Sequence, residues 1–353
     1  MTIRLNGRSL VTAALARCLQ LRGLDVVLSD EAAAPASVPR HICINDVAIS
    51  LLGDLFPDLG QAPIGHALTG REVIWADDPV PRLVAQEARV VDAALLTERL
   101  FATLDVTRRD EAAITWDVNL PDEAVPMLSF GDRILLTATV QLNNPLQPSR
   151  SLMESLTRGW IFLAPVDCGS AILQVMLPTP ADAEGQLAHM LSQSTLVAPH
   201  VGEIGTTQCF PAAPAIRLAP TRGHRLFVGG PGMRLDPVSG EGLPTALRSA
   251  ILAAAVIAHD GREPGAASMH YLDRTTATLL HHLSGCRSFY SDAFGDDPVW
   301  RLELRKSALA EAALRNVSGV SEKPEFRFRL EGLKLVDAMP PRDAFADRVP
   351  IGV

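Results

Sequence analysis

The sequence lacks the features that mark several classes of protein. Its cysteines are few, odd in number and without a C-x-x-C pair, so we expect neither a disulfide framework nor a zinc site. Acidic residues outnumber basic ones and the formal net charge is -8, which argues against nucleic acid as a partner. No uncharged run of about 18 apolar residues occurs, which argues against a membrane span.

Two further absences concern location and chemistry. No N-terminal segment resembles a secretory leader of charged and then apolar residues, so we expect a cytoplasmic protein. Lysine occurs only three times, all in the C-terminal part: Lys306, Lys323 and Lys334. Apolar side chains, by contrast, make up 47% of the 353 residues, which is enough for a sizeable core and two domains or lobes.

The most informative stretch covers residues 225–250. It predicts a buried strand over 226–228, a glycine-rich loop and a helix from about Leu243, with Pro244 in the first turn. A strand, a loop and a helix N-terminus together expose backbone N–H groups at the positive end of a helix dipole, which suits an anionic or electron-rich ligand. The loop glycines are Gly229, Gly230, Gly232, Gly240 and Gly242.

The N-terminal residues predict a βαβ unit. A strand over 3–5 is followed by a helix over 10–22 and a second strand over 24–28, after which Asp30 occurs. In a dinucleotide-binding unit of this kind, glycines in the first turn allow the pyrophosphate to approach, and an acid after the second strand binds a ribose hydroxyl.

The glycine pattern of such a unit is only partly present. The three G-x-G-x-x-G positions fall on Gly7, Ser9 and Thr12, and a non-glycine residue held at positive φ would cost on the order of 1 kcal/mol. Asp30 is either the ribose ligand or an ordinary strand-ending acid. Arg40 is either a pyrophosphate contact or part of a surface ion pair worth under about 1 kcal/mol.

The rest of the chain predicts a sheet and a helical end. Strand-like runs lie between residues 114 and 176, and from residue 266 onward the pattern is mostly helical. Further helices are expected over 46–55, 91–104 and 182–195, and a short strand over 72–75. The predicted division is a nucleotide-binding lobe (1–130 and 215–265), a β-sheet substrate lobe (131–214) and a C-terminal helical segment (266–353).

Four segments together resemble one superfamily. They are Asp236-Pro-Val-Ser-Gly-Glu-Gly242, Pro39-Arg40-His41, Gly159-Trp-Ile-Phe-Leu-Ala-Pro165, and Arg287-Ser-Phe-Tyr290 with Asp297-Pro-Val-Trp300-Arg. Their order resembles the FAD-dependent aromatic monooxygenase and tryptophan-halogenase-like superfamily. It looks most similar to the branch of bacterial flavoproteins that mature quinone cofactors by oxidising side chains of partner proteins.

The resemblance implies a fold, a cofactor and a reaction. The fold is α/β, with a Rossmann-like, para-hydroxybenzoate-hydroxylase-like FAD lobe, an inserted β-sheet lobe and C-terminal helices. The reaction is oxidation or hydroxylation of an aromatic small molecule or of a peptide or protein side chain, with FAD supplying the redox chemistry. The implied cofactor-binding residues are Gly7, Ser9, Thr12, Asp30, Arg40, Gly230, Asp236, Pro237, Gly240 and Gly242.

Three departures from the family pattern fall on cofactor contacts. Only Gly7 of the first glycine motif is kept, Gly230 stands where the family has an aspartate, and region 114–119 lacks the family's D-x-T/S-G. Halogenation is not expected, because halogenases of this family need a lysine in the N-terminal half and the first lysine here is Lys306. The departures leave two alternatives to an FAD-dependent oxygenase: a cofactor-free relative that acts as a scaffold or protein partner, and a flavin-independent enzyme that reuses the pocket.

No catalytic residue is identified by the sequence. Trp75, Trp160 and Phe162 either line a substrate pocket or belong to the sheet core; the last two lie at strand period two and so face the same side. His281 and His282 are adjacent on a predicted helix and point about 100° apart, which favours a packed or solvated helix over a metal or acid–base pair.

Overall fold

The computed structural model describes residues 1–29, 39–61, 64–106, 114–120, 125–180, 183–217, 221–222, 224–320 and 324–338, so Asp30 lies outside the described residues. The helices are α1 (Leu10–Leu21), α2 (Asp46–Leu55), α3 (Ala93–Ala102), α4 (Ala183–Gln193), α5 (Gly242–Asp260), α6 (Ala266–Phe294) and α7 (Pro298–Ser318). The strands are β1 (Thr2–Asn6), β2 (Asp25–Ser29), β3 (His41–Asn45), β4 (His66–Ile74), β5 (Arg82–Asp92), β6 (Ile114–Val118), β7 (Met127–Ser129), β8 (Ile134–Leu142), β9 (Arg150–Leu156), β10 (Gly159–Pro165), β11 (Ser170–Leu177), β12 (Val201–Ile204), β13 (Gln208–Pro211), β14 (Ala215–Arg217), β15 (Thr221–Arg222), β16 (Arg225–Leu226), β17 (Met233–Arg234), β18 (Phe328–Glu331) and β19 (Lys334–Asp337).

A five-stranded sheet carries the predicted nucleotide lobe. Its order is β15-β16-β6-β1-β2, and β1, β2, β6 and β16 run parallel to one another. Because β1 and β16 point the same way, the turn before α1 and the loop before α5 leave the sheet at the same edge. This is the edge at which ligands bind in open parallel α/β sheets.

Small side chains let the helices pack closely on this sheet. Ala13, Ala14 and Ala16 of α1 and Ala253 and Ala254 of α5 are fully buried in one core cluster. By length and composition alone, α5 is the one helix in the described ranges that could cross a membrane. Its apolar residues belong to this core, so packing accounts for its apolar character.

A nine-stranded sheet forms the second layer. Its main path is β12-β8-β11-β10-β9-β4-β5-β3, and β13 also pairs with β8. The sheet therefore takes in three strands from residues 41–92, outside the segment 131–214 that we assigned to a sheet lobe. The link is a parallel pairing of β4 with β9, a long-range contact that strand periodicity cannot reveal. The division into domains stays a prediction.

Several predicted element bounds need correction. The helix expected over 91–104 starts at Ala93, because β5 continues to Asp92, whose side chain accepts the N–H of Leu95 and caps α3. The strand expected over 226–228 is only Arg225–Leu226. After α7 the chain forms a hairpin of β18 and β19, which the helical pattern of this region did not predict.

Candidate functional site

Open glycines line the edge where α1 and α5 begin. A Cβ added at Gly7, Gly230, Gly240 or Gly242 would meet no other atom within 4 Å. Gly229 is the opposite case: its φ is +66° and a Cβ would lie 2.9 Å from the Cγ1 atom of Val11. The predicted cofactor glycines therefore border open space, whereas Gly229 brings the loop against α1.

Ser9 and Thr12 close the start of α1 with a capping box. The Ser9 Oγ atom accepts the N–H of Thr12 at 3.1 Å, and Thr12 Oγ1 accepts the N–H of Ser9 at 2.8 Å. The prediction of backbone strain at Ser9 is wrong, because Ser9 has a φ of -152°, which is extended backbone. The capping box uses the N–H groups of Ser9 and Thr12. An anion at the start of α1 would therefore accept hydrogen bonds mainly from the N–H groups of Leu10 and Val11.

Arg40 forms the ion pair that the sequence left as one of two alternatives. Its Nε lies 3.0 Å from Asp92 Oδ2, and 76% of the Arg40 side chain is exposed. Partial burial raises the pKa of Asp92, but the Leu95 N–H and the Arg40 charge outweigh it and hold that pKa below its usual value. The exposed pair contributes under about 1 kcal/mol, so Arg40 can turn to another anion at little cost.

Asp236 is directed into the protein and not at the open edge. It is fully buried; its Oδ1 accepts the Tyr290 hydroxyl at 2.7 Å and the Val238 N–H at 3.0 Å. The Asp236 N–H in turn donates to His282 Nε2 at 2.9 Å. Asp236 therefore holds the turn at Pro237–Ser239 in place from the buried side of the turn, opposite the open edge.

Arg133 is the charged partner of Asp236, and the sequence did not predict this pair. Its guanidinium lies 3.0 Å from Asp236 Oδ2 and 3.1 Å from Glu303 Oε1, and all three side chains are buried. Both Glu303 carboxylate oxygens also accept the N–H of Asp132. Burial raises the pKa of Glu303, although Arg133 and the Asp132 N–H oppose that rise. Arg133, the residue before β8, is a buried cation between two acids and connects the start of β8 to the 236–242 turn and to α7.

The proposed pocket aromatics lie in the core of the nine-stranded sheet. Trp75, Trp160 and Phe162 are 8%, 2% and 4% exposed and belong to one apolar cluster. Ile161 and Leu163 belong to a different cluster, so the expected alternation across β10 holds. In the described part of the chain these aromatics pack against protein and line none of the cavities reported below.

A cavity of about 550 Å³ lies beside the Arg40–Asp92 pair, where the sequence predicted none. Burial lowers the pKa of His41 on its wall. Apolar residues and titratable residues line this cavity in about equal number, and convergent polar groups in a concave site are typical of small-molecule binding. The polar and reactive side chains are His41, His66, Asp92, Arg99, Asp167 and Cys168, and the apolar ones include Ile64, Val90, Leu96 and Val166.

A second cavity, of about 10 Å³, lies behind the glycine loop. Phe227, Gly242, Ser249 and Tyr271 contribute to its wall. This volume holds about one water molecule, so the inner side of the loop is packed and ligand space lies on its outer side.

No protein-family model matches the sequence, and no curated protein matches it. Solved structures do match. One is the myxobacterial chondrochloren halogenase CndH, an FAD-dependent halogenase variant, with 16% identity, 90% of each chain covered and a TM-score of 0.71. Another is QhpG, a peptidyl tryptophan dihydroxylase essential for tryptophylquinone cofactor biogenesis, with 19% identity, 95% of this chain and 86% of QhpG covered and a TM-score of 0.68.

A third match is HpxO from Klebsiella pneumoniae, solved with FAD and uric acid, with 13% identity and a TM-score of 0.61; the match covers 90% of this chain and 96% of HpxO. Likeness at these identities establishes the fold. The predicted α/β fold class is confirmed.

Proposed function

From a fold shared with FAD-dependent halogenases and a peptidyl tryptophan dihydroxylase, we propose that this protein binds FAD and oxidises an aromatic group. The substrate is an aromatic side chain of a peptide or protein, or an aromatic small molecule. The observation that carries the proposal is the open edge at Gly7, Gly230, Gly240 and Gly242, in a chain that matches proteins of this type over nine-tenths of its length.

The residues present fit the isoalloxazine ring of a flavin better than they fit its pyrophosphate and sugar. Gly240, at a φ of +67°, and Gly242, at the start of α5, leave room for a planar group and place helix N–H groups at its edge. Gly7 and Ser9 take the pyrophosphate side. The position of Gly230 offers space but no carboxylate, so the sugar is held by fewer contacts than the family pattern implies.

FAD, when bound, supplies the redox and oxygen chemistry, and the protein supplies binding, orientation and electrostatics. The N-terminus of α5 favours negative charge on a group placed against it. Asp236 keeps the turn before α5 in one conformation through Tyr290 and Arg133. The cavity of about 550 Å³ beside Arg40 gives room for a ligand of nucleotide or substrate size.

Halogenation is not part of the proposal. The first lysine, Lys306, lies on α7 and pairs with Asp132. Oxygen transfer to an aromatic ring requires no lysine in the first half of the chain.

The proposal is tested by turnover. The protein is incubated with FAD, a nicotinamide reductant and peptides that contain tryptophan or tyrosine, and we expect oxygen uptake with a product heavier by one oxygen atom. Gly242→Glu should abolish turnover, because the negatively charged Glu side chain would fill the open space at the start of α5. Gly53→Glu, at an exposed glycine of α2 whose added Cβ also meets nothing within 4 Å, is the matched control. Equal loss in both variants, or no oxygenated product from any of the peptides or from a panel of aromatic small molecules, contradicts the proposal.

A second candidate is a cofactor-free scaffold that binds a peptide. It is favoured by the Ser9–Thr12 box, which occupies two N–H groups at the start of α1, and by the missing carboxylate at Gly230. Saturable FAD binding excludes this candidate, and peptide binding by a colourless protein supports it.

A further inference from the structure

Oxidisable aromatic residues are concentrated in one place. Aromatic residues make up only 5% of the sequence, yet three of its four tryptophans and one of its two tyrosines lie in a single cluster. The members are Trp75, Trp160, Trp300 and Tyr290. At one end of the cluster Tyr290 contacts Asp236 of the 236–242 turn, and at the other end Trp75 contacts Phe289, an exposed residue of α6.

Successive rings of the cluster are in contact. Tyr290 stacks on Trp300 with ring centroids 4.7 Å apart and an interplanar angle of 25°. Trp300 stacks on Phe294 at 4.7 Å, and Phe294 meets Trp75 edge-on at 5.8 Å. Trp75 in turn stacks at 4.1 Å on Phe289, which is 41% exposed. Tyr290 and Trp300 are in direct contact, and the single ring of Phe294 bridges Trp300 and Trp75, so each redox-active ring is at most one ring away from the next.

The inner end of the path has a proton acceptor. The Tyr290 oxygen accepts the indole N–H of Trp160 at 3.2 Å, which directs its own hydrogen to Asp236 Oδ1 at 2.7 Å. A phenol that loses an electron becomes a strong acid and must give up its proton. Arg133 lies over the Tyr290 ring at 5.3 Å and disfavours positive charge there, so electron loss is coupled to proton transfer to Asp236.

We propose that Tyr290, Trp300 and Trp75 form a relay that carries one-electron oxidising equivalents from the 236–242 turn to the protein surface. This function goes beyond oxidation of a substrate. It rests on the proposed function for the source of the oxidant: a reactive oxygen species formed beside the turn is removed before it damages the turn.

Every step of the relay balances. An oxidant at the turn takes one electron from Tyr290, and the phenolic proton passes to Asp236. Trp300 then gives an electron to the tyrosyl radical, which takes its proton back, and Trp75 reduces Trp300 across Phe294. A soluble thiol then reduces Trp75, which lies under the exposed ring of Phe289, and the thiol becomes a thiyl radical and releases its proton. The net change is one electron from the thiol to the oxidant, with all four protein groups restored.

The other tyrosine provides an internal comparison. Tyr271 is also buried, at 1% exposure, but its hydroxyl donates to the backbone carbonyl of Phe227 at 3.1 Å. A carbonyl is not a base that can keep the proton. Tyr271 should therefore resist oxidation, although both phenols are excluded from solvent.

The test uses the isolated full chain and photogenerated tris(bipyridine)ruthenium(III) as oxidant, with samples frozen for electron paramagnetic resonance. Without thiol, the oxidising equivalent introduced from outside rests on Tyr290, so we expect a neutral tyrosyl radical in the wild type and in Tyr271→Phe and its loss in Tyr290→Phe, which keeps the ring and its stacking. Adding a soluble thiol before freezing should remove the wild-type signal through Trp75. A signal that persists in Tyr290→Phe, or disappears in Tyr271→Phe, overturns the proposal.

The route is tested by the tryptophans. Trp75→Phe, close to the surface, should lower the tyrosyl yield at least severalfold, because Tyr290 is fully buried and cannot meet the oxidant directly. Trp116→Phe is the control, since this buried indole donates to the carbonyl of Gly261 and lies in the other core cluster. An equal yield in Trp75→Phe and wild type refutes the route. The experiment needs no FAD, so its failure is separate from a failure of the proposed cofactor.

Discussion

At the scale of single residues, two adjacent glycines have opposite roles. Gly229 needs its positive φ and its missing side chain, because the loop approaches Val11 there. Gly230 is exposed, has open space at its Cβ position and carries no such constraint. The sequence identified both as loop glycines but could not separate them, because the difference depends on a contact with α1.

This difference predicts unequal effects of the same substitution. Gly229→Ala should lower the free energy of unfolding by about 1 to 3 kcal/mol, through backbone strain and the clash with Val11. Gly230→Ala should be neutral within about 0.5 kcal/mol. Urea unfolding of the two variants measures both, and similar losses in the two would contradict the described loop.

Arg133 is the residue with the largest predicted effect on stability. Arg133→Met leaves Asp236 and Glu303 as buried charges without their cation, and we expect a loss of about 3 to 5 kcal/mol. Arg40→Met removes an exposed pair and should cost under about 1 kcal/mol. Adding Glu303→Gln to Arg133→Met should recover part of the loss; no recovery in thermal or urea unfolding would argue against the network.

At the scale of elements, the helices were predicted better than the strands. Helices α1, α2, α5 and α6 were found because their apolar residues recur at helical spacing over at least ten residues. The predicted helix over 91–104 wrongly included the last two residues of β5, and residues 82–90 of this strand, most of them exposed, were not predicted as a strand. The network of Arg133, Asp236 and Glu303 could not be predicted, since its members are far apart in sequence and share no spacing.

The packing of α6 on the last hairpin predicts an acid-dependent stability. His270 contacts the rings of Phe326 and Phe328, and burial, followed by the charge of Arg274, lowers its pKa from 6.5 to about 4. The unfolded chain therefore binds a proton between pH 6.5 and about 4 that the folded protein does not. Stability falls as the pH drops through this window, by at most about 1.4 kcal/mol per pH unit.

Replacing His270 should remove that loss. His270→Leu is expected to flatten the decline of the melting temperature with falling pH, whereas His281→Leu, at an exposed position on the same helix, should leave the decline unchanged. The check is a series of thermal melts across the window. An unchanged decline in His270→Leu would show that α6 does not bury this ring against the hairpin.

At the scale of the whole molecule, the chemical reactivity of the cysteines shows which of them the fold buries. Cys168 and Cys209 are exposed, whereas Cys18 and Cys286 are buried, and burial raises the pKa of Cys18 to about 12. Since the thiolate is the reactive form, iodoacetamide should modify Cys168 first and Cys209 more slowly, because partial burial raises the pKa of Cys209. Mass spectrometry of the native protein that shows early modification of Cys18 or Cys286 would contradict the described packing.

The order of the motifs along the chain predicted the architecture better than any single motif did. The βαβ start, the glycine loop and the C-terminal helices predicted an α/β fold, and the solved structures confirm that fold. The role of Asp236 was not predictable, because the motif marks its position but not the direction of its carboxylate. The assignment of Asp30 to the ribose stays a prediction, since that residue lies outside the described ranges.

Titration of the purified protein with FAD, followed by flavin absorbance and fluorescence, tests the central claim most directly. We expect saturable binding by the wild type. Gly230→Asp should bind about tenfold more tightly, because a carboxylate in that open position adds a charge-assisted hydrogen bond to the sugar. Gly230→Ala controls for the added Cβ and should bind like the wild type. An absence of saturable FAD binding by both the wild type and Gly230→Asp would contradict the account.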